Sequence, residues 1–468
     1  MKVVVLLALA LAVSAKNPGV TGSVDQTTLT NALNLAAGIG IQIAPNNYGN
    51  YTTNLKYSIF DLHIFITDIT LKSVSYDSAS TGIQVQSPNF FTVTVSGINA
   101  NGQANYQTKM GLVDLTGVAI VEASNINAAV NVTVTATSGG MPQLAVNSAI
   151  VSVGGVTVSS SLPSALNNFI NSEISKQISS LQSTISGLID QNIPKLNTLL
   201  AGLSPVVAIP NTQLEINLGL SADPMVVNDN YIAGGLDGTL FNKLIGEPAT
   251  EAAPGLPYRS PLSEGFQGQV SDYAITQALV NLAALYTYTL TSMPPGVPFD
   301  LDTDTLSILI PALSTVYGSA QPMNIKFYYD TTLPAPQFTT QNGVATVSGT
   351  VSMDLLVNAN NAGFSKAVTL QVAFSLSGTA GLSGTTVSAN ISSYTIDNVN
   401  PINSQVGQLN GPSIATGLEQ FIGTFISLVN KAIASNSVTF PTIPYGVTIS
   451  ADDVQAQSGY VAAGVNVA

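Results

Sequence analysis

Apolar residues between Ser161 and Leu203 recur at steps of three and four: Leu166, Ile170, Ile174, Ile178, Leu181, Ile185 and Leu188. At 100° per residue that spacing keeps them on one stripe of an α-helix. Ser172, Lys176, Ser179, Ser183 and Ser186 fall on the opposite face, Ser161 or Ser164 is placed to cap the start, and Pro194 is expected to interrupt the far end. From Ser164 to Ile193 such a helix is about 45 Å long, close to an extended acyl chain with its headgroup. A second stripe returns near the C-terminus, where Ile414, Leu418, Phe421, Ile422, Phe425, Ile426, Val429 and Ile433 run against Glu419, Thr424, Ser427 and Lys431. It predicts a helix over Gly411 to Ala434.

Elsewhere the period changes. A shorter helical stretch from about Asp25 to Ile41 carries Leu29 and Leu33 on one side. From Tyr51 to Val158 apolar residues alternate, the mark of strands. The phase of Leu55, Tyr57 and Ile59 slips to Leu62, Ile64 and Ile66, then slips back at Ile69 and Leu71. Each slip predicts a bulge that bends the sheet. Asn99-Ala100-Asn101-Gly102 and Ser138-Gly139-Gly140 predict turns. Alternation resumes from Val206 to Ile232. Four prolines between Gly246 and Pro261 then predict an extended strap. Ser271 is placed to cap a helix through Tyr286, and Asp304 another from Thr305 to Val316. Strands fill about Asn324 to Ile396, and Val447 to Val467 alternates last. The order helix, strands, long helix thus occurs twice.

Charged residues make up 8% of the chain, against about 25% in ordinary globular proteins. With an ordinary apolar share, this means a neutral exterior of Ser, Thr, Asn and Gln. Residues 1–15 read as a secretory signal, with Lys2, an apolar core from Val3 to Val13 and a small-residue cleavage site at Val13-Ser14-Ala15. Its eleven apolar residues are too few to span a bilayer. A secreted, extracellular or lumenal protein is expected. Without Lys2, 11 basic residues face 25 acidic ones, a net charge of −14. That balance excludes nucleic-acid binding, which needs basic clusters, and favours a monomer. There is no cysteine, so stability must come from core burial. Sequons at Asn50, Asn131 and Asn390 are candidate glycosylation sites.

Several segments, in order, resemble the bactericidal/permeability-increasing protein family of tubular lipid-binding proteins. They are Asn17-Pro18-Gly19-Val20, Ser138-Gly139-Gly140-Met141-Pro142, Val270-Ser271-Asp272-Tyr273, Pro322-Met323-Asn324-Ile325-Lys326-Phe327 and Gly464-Val465-Asn466-Val467. The resemblance implies an α+β fold, an elongated boomerang of two tubular barrels. Each barrel is a highly twisted antiparallel sheet wrapped around a long helix, and a central β-sheet joins them. It implies domains at 16–205 and 270–436, central strands at 206–246, a proline-rich linker at 247–269, and return strands at 437–468 that rejoin the central sheet beside Val206 to Ile232. It also implies an apolar tunnel in each half, holding a bound phospholipid or other acyl lipid. Two departures matter: the family's disulfide is absent, and residues 16–210 carry six lysines against eight acidic residues. Lipid A phosphates call for clustered Lys or Arg, so recognition of microbial lipopolysaccharide does not carry over.

No catalytic constellation emerges. His63 is the single histidine and there is no cysteine, so neither a zinc site nor a Ser–His pair can form. Asp300-Leu301-Asp302-Thr303-Asp304 begins like a calcium loop, but Thr305 stands at the glycine position and Pro311 at the terminal glutamate position. The expectation is therefore a non-enzymatic, secreted lipid-binding or lipid-transfer protein without catalytic cofactor or metal, touching membranes or lipid particles transiently. Its tunnel walls are assigned to Leu29, Leu33, Leu166, Ile170, Ile174, Ile178, Leu181, Ile185, Leu188, Leu418, Phe421, Ile422, Phe425 and Val429. An innate-defence protein binding microbial lipids and a structural glycoprotein without a cavity are the alternatives.

Overall fold

The computed structural model describes residues 18–42, 51–57, 60–110, 113–176, 178–209, 213–228, 230–244, 246, 255–293, 299–383, 386–423, 426–427, 430–431, 438–439 and 449–467. The signal segment and Asn50 lie outside them.

The chain enters through a strand that the sequence pattern did not announce. β1 (Val20–Asp25) is followed directly by α1 (Gln26–Gln42), whose first turn is capped by Asp25 Oδ1 accepting from Thr28 N at 2.7 Å. The first half continues with β2 (Tyr51–Tyr57), β3 (Phe60–Gln86), β4 (Phe90–Met110), β5 (Val113–Ala136) and β6 (Pro142–Ser160), a five-stranded antiparallel meander. The striped helix follows as α2 (Ser164–Lys176) and α3 (Ile178–Ala201). α1 lies along β3, and α2 and α3 lie along the edge strand β6.

Several local expectations change. The first phase slip is a chain reversal between β2 and β3, which pair Tyr57 with Phe60. The second is a bulge, between Thr67 and Thr70, with Asp68 at φ 52°. Asn99 to Gly102 makes no turn. It stays inside β4 beside a bulge at Ile98, where the Asn99 side chain accepts from Asn125 N and donates to Gly97 O instead of reversing the chain. Pro194 does not end the helix, which runs on to Ala201. A proline there forfeits a backbone bond, but tertiary contacts hold the next turns. Asn197 pairs with both N and O of Leu144 at 2.9 and 2.8 Å, and Leu200 is buried.

After α3 come β7 (Val206–Ala208), β8 (Leu214–Asn217), β9 (Met225–Val227), β10 (Tyr231–Leu236) and β11 (Leu240–Asn242). Only β9 and β10 join the central sheet; β7, β8 and β11 form a small sheet of their own. The strap is also shorter than expected, because Phe266–Ser271 is a central strand, β12. Ser271 caps α4 (Asp272–Leu285), accepting from Ala274 N as expected. β13 (Tyr288–Leu290) leads to two short helices, α5 (Thr303–Ser307) and α6 (Ala312–Tyr317), in place of one. Asp302 is the cap, accepting from Thr305 N at 2.8 Å, while Asp304 accepts from Ser319 Oγ. β14 (Met323–Tyr328), β15 (Gln337–Gln341), β16 (Val344–Val357), β17 (Ser365–Ser383) and β18 (Thr386–Ile402) build the second curled sheet. α7 is described over Gly411–Gly423 and packs on β18. β19 (Val438–Thr439), β20 (Ile449–Gln457) and β21 (Tyr460–Val467) close the chain. The last strand returns to the central sheet beside β12, not beside Val206 to Ile232.

The central sheet runs β20-β21-β12-β1-β10-β9 and is internally two-fold. β1 and β12 pair antiparallel with Gly22 opposite Gly268, and their outer neighbours are alike: Tyr231-Ile-Ala-Gly-Gly-Leu236 flanks β1 and Tyr460-Val-Ala-Ala-Gly-Val465 flanks β12. One side of this sheet is polar. Thr21, Ser23, Gln267 and Gln269 are fully buried there under the strap. Ser260 Oγ donates to Gln267 Oε1, Gln267 Nε2 donates to Leu262 O, and Arg259, the single arginine, sits 3.9 Å from the Tyr231 ring centre. The other side is apolar, and Val24 and Ile232 pack there with Val85 and Val134 of the first half.

The two helices that leave the central sheet are held by the same device. Gln26 and Thr30 of α1 bind the backbone of Val85 and Ile83. Asp272 and Thr276 of α4 bind that of Thr340 and Phe338. In each case residues four apart on the helix meet residues two apart on the strand. Thr276 Oγ1 serves both groups of the Phe338 peptide unit, accepting from N at 2.9 Å and donating to O at 3.3 Å. Thr276→Val is expected to lower stability by about 1–3 kcal/mol by stranding those groups, read as a lower urea midpoint. Thr30→Val should do the same through Ile83, and a midpoint unchanged in both variants would refute the device.

Candidate functional site

The interior face of the second sheet is a ladder of apolar rows. Leu290, Ile325, Leu355 and Val368 form one row across β13, β14, β16 and β17; Tyr288, Phe327, Met353 and Leu370 form the next. Further along come Val351 opposite Val372, and Gly349 opposite Phe374. The aliphatic end is filled. Leu306, Ile310 and Leu313 from α5 and its surroundings, with Ile414 and Leu418 from α7, complete a buried core. The space left between Leu418, Phe421, Met353 and Leu370 is an enclosed, wholly apolar cavity of about 20 Å³, room for one water-sized body.

The other end is open. Between the C-terminal end of α4 and the sheet lies a groove of about 320 Å³, within the range of small-molecule sites. Tyr286 and Ala283 contribute from the helix end, Tyr288, Phe327 and Tyr328 from β13 and β14, and Tyr329 and Pro336 from the loop before β15. Gly349, Thr350, Val351 and Phe374 form the floor. Gly349 is what lets the walls close in. A Cβ there would stand 3.2 Å from Pro336 Cα, tighter than ordinary contact. Phe327 and Val351 belong to the groove and also pack on the core, so the groove is the outer end of the interior ladder.

No lining residue of this groove carries a charge. The nearby ions stay on the outer face. Asp354, buried, pairs with Lys366 at 2.8 Å and accepts from Thr369 Oγ1, and this contact raises the Lys366 amine above its usual range. Lys326 Nζ lies 5.5 Å from the Tyr328 ring centre. The loop bearing Tyr329 is shaped by Asp330, whose carboxylate accepts from Thr332 N and Oγ1 at 2.9 and 2.8 Å, while Tyr329 OH donates to Leu333 O. Those two bonds hold the Asp330 carboxyl below 3.8.

None of the assigned tunnel residues that are described lines this groove. Leu166 and Ile170 pack with Ile64, Tyr106 and Ala119 at the far end of the first half, and Leu29 packs at its base by the central sheet. Leu33, Ile178 and Ile422 are half-buried. Leu418 and Phe421 border the 20 Å³ cavity. Phe425 and Val429, and the side chains of Ile174, Leu181, Ile185 and Leu188, lie outside the described residues. Of the sequons, Asn131 is half-buried, its amide donating to Thr92 Oγ1 and accepting from Asn147, whereas Asn390 is exposed on β18. His63 is exposed on β3, and among the described residues no three His, Cys, Asp or Glu side chains are placed to hold a metal ion. Also among them, no helix is long and apolar enough to cross a membrane. The aromatic groove was missed because its residues come from six separate elements. The one local signal was tyrosine and phenylalanine density at 286–288 and 327–329.

Among solved structures, the chain is similar to a crystal structure of lipopolysaccharide binding protein, with a TM-score of 0.60 and 15% identity over 97% of this chain and 99% of that one. At that identity the likeness is one of fold, the tubular α+β architecture. A match to Takeout 1 of Epiphyas postvittana covers 34% of this chain and 80% of that one at 10% identity, with a TM-score of 0.21 that supports no argument. No family model and no curated protein sequence matches the chain.

Because the folded Asp330 carboxyl lies below its ordinary value of 3.8, its contribution to loop order is complete above that value. It is lost as the pH falls through the lower, folded value. Hydrogen exchange at Thr332 N should thus stay slow down to about pH 4 and quicken only below it, once rates are corrected for intrinsic pH dependence. Asp330→Ala, which removes the acceptor, should exchange fast at every pH; equal protection in the variant would contradict this account of the loop.

Proposed function

We propose that this chain is a non-catalytic binding protein for a lipid or comparable apolar small molecule, taken up through the aromatic groove of the second half. The observation that carries the reading is the groove itself, a charge-free opening of about 320 Å³ continuous with an apolar interior face. Apolar surface buried there gains about 25 cal/mol per Å², and nothing in the lining would oppose it with an unpaired charge. The fold likeness to a lipopolysaccharide binding protein supports the same class of ligand, though not lipopolysaccharide itself, since no basic cluster lines the groove. A phospholipid, the cargo implied by family resemblance, is one candidate within that class.

Secretion after cleavage near Ala15, glycosylation at the exposed Asn390, action as a monomer and brief contact with membranes or lipid particles complete the proposal. The leader-like composition of residues 1–15 and the net acidic charge support these points. The two curled sheets are proposed as two binding halves, 16–205 and 270–436, of which the second has the better-defined opening.

Nile red, a neutral dye that brightens in apolar surroundings, should titrate to saturation on the purified protein. Tyr288 is 61% exposed, so Tyr288→Glu should leave the fold intact while setting a carboxylate at the mouth. Dye affinity is expected to fall at least tenfold with little change in unfolding midpoint. Unchanged affinity would overturn the assignment of this groove.

A further inference from the structure

We infer that the ligand of the aromatic groove is a compact, uncharged, ring-bearing hydrophobe and not a diacyl lipid. The inference rests on the groove being the apolar binding site and names the class of molecule it takes. Three features of the second half lead to it.

The first is the make-up of the walls. Six of the eleven lining residues are aromatic: Tyr286, Tyr288, Phe327, Tyr328, Tyr329 and Phe374. Tyr288 and Phe327 are register partners on β13 and β14, with ring centres 6.4 Å apart and planes inclined by 29°. The two rings form a preset aromatic stack on neighbouring strands. Aromatic surfaces favour offset stacking with another planar ring, an oriented contact that a flexible alkyl chain cannot return. Tyr286 and Tyr288, at 55% and 61% exposure, still present much of their surface to solvent.

The second is room. At about 30 Å³ for each water-sized group, the 320 Å³ groove admits roughly ten such groups, the bulk of two fused or linked rings. Among the described residues, the interior ladder behind it carries Ile325, Met353 and Leu370, and the cavity they border holds about 20 Å³. A long acyl chain entering the groove would have to pass Ile325, Met353 and Leu370, which are buried in the core. Phospholipid lodged in this groove would leave most of its apolar surface in water.

The third is charge. No Lys, Arg, Asp or Glu lines the groove, and Lys366 and Asp354 are committed to each other on the opposite face of the sheet. A phosphate or carboxylate headgroup at the mouth would exchange hydration for tyrosine hydroxyls with no cation in the lining to balance its charge, which disfavours its entry. A neutral ligand carries no such penalty.

The test uses the full-length protein and two fluorescent probes, N-phenyl-1-naphthylamine as a neutral ring compound and cis-parinaric acid as a single anionic chain. Wild type is expected to bind the ring probe at one saturable site, and an equimolar amount of parinaric acid should not displace it. Tyr286→Ala/Tyr288→Ala, which alters two exposed side chains, should weaken the ring probe at least tenfold. Gly349→Ala, which narrows the floor, provides a second variant expected to weaken it. Ring-probe binding unchanged in both variants overturns the inference, as does ready displacement by parinaric acid. If only parinaric acid binds, and does so through the two tyrosines, the ligand class is wrong while the groove remains the apolar site. If neither probe binds wild type, both readings fall.

Discussion

Everything in this chain is organised by one backbone pairing, that of β1 with β12 around Gly22 and Gly268. Antiparallel pairing at that register puts the two strands in equivalent positions, so the helices that leave them depart in equivalent directions. The caps are equivalent too, Asp25 for α1 and Ser271 for α4. Each helix then meets a strand of its own half through side chains four residues apart, which reach backbone groups two residues apart. Edge groups that would otherwise need water are satisfied by the helix. The curl of each sheet follows from bulges along its strands, at 67–70 and 77–82 in the first half and at 355–356 and 373–374 in the second.

This constraint also decides where space can remain. In the second half, α5, α6 and α7 fill the far end of the tube with Leu306, Ile310, Leu313, Ile414 and Leu418. Among the described residues, the end beneath α4 is open, where Ala283 and Gly349 are too small to fill the gap and aromatic rings border it. In the first half the described buried clusters lie at the two ends of the long strands, around Ile64 and Tyr106 and around Val85 and Val134. The two halves share a plan and differ in how their interiors are closed.

Much of this plan was legible from the residues. The strand and helix periods, the Ser271 cap, the strap and the terminal hairpin all correspond to local patterns with a physical cause. β1 escaped because it alternates in reverse chemistry. Thr21 and Ser23 are its buried polar face, and Thr21 finds its partners, Gln269 and Pro257 of the strap, only in three dimensions. The repeat of Tyr231–Leu236 and Tyr460–Val465 was present in the sequence and would have placed both flanking strands. Asn99–Gly102 and Pro194 misled because turn and breaker signals are local, while Asn side chains bridging a bulge and Asn197 pinning a helix to Leu144 are tertiary. The groove was illegible for a related reason: it is an absence of side chains between distant elements, and periodicity records only their presence.

The central claim, an apolar ligand held in the second half, is most directly tested by native mass spectrometry of the protein purified without detergent. The account predicts a single uncharged small-molecule adduct per chain, released by organic solvent and lost when the mouth carries the Tyr288→Glu substitution. A folded wild-type chain at its bare mass, with no adduct gained when it is presented with cell lipid extract, would contradict it.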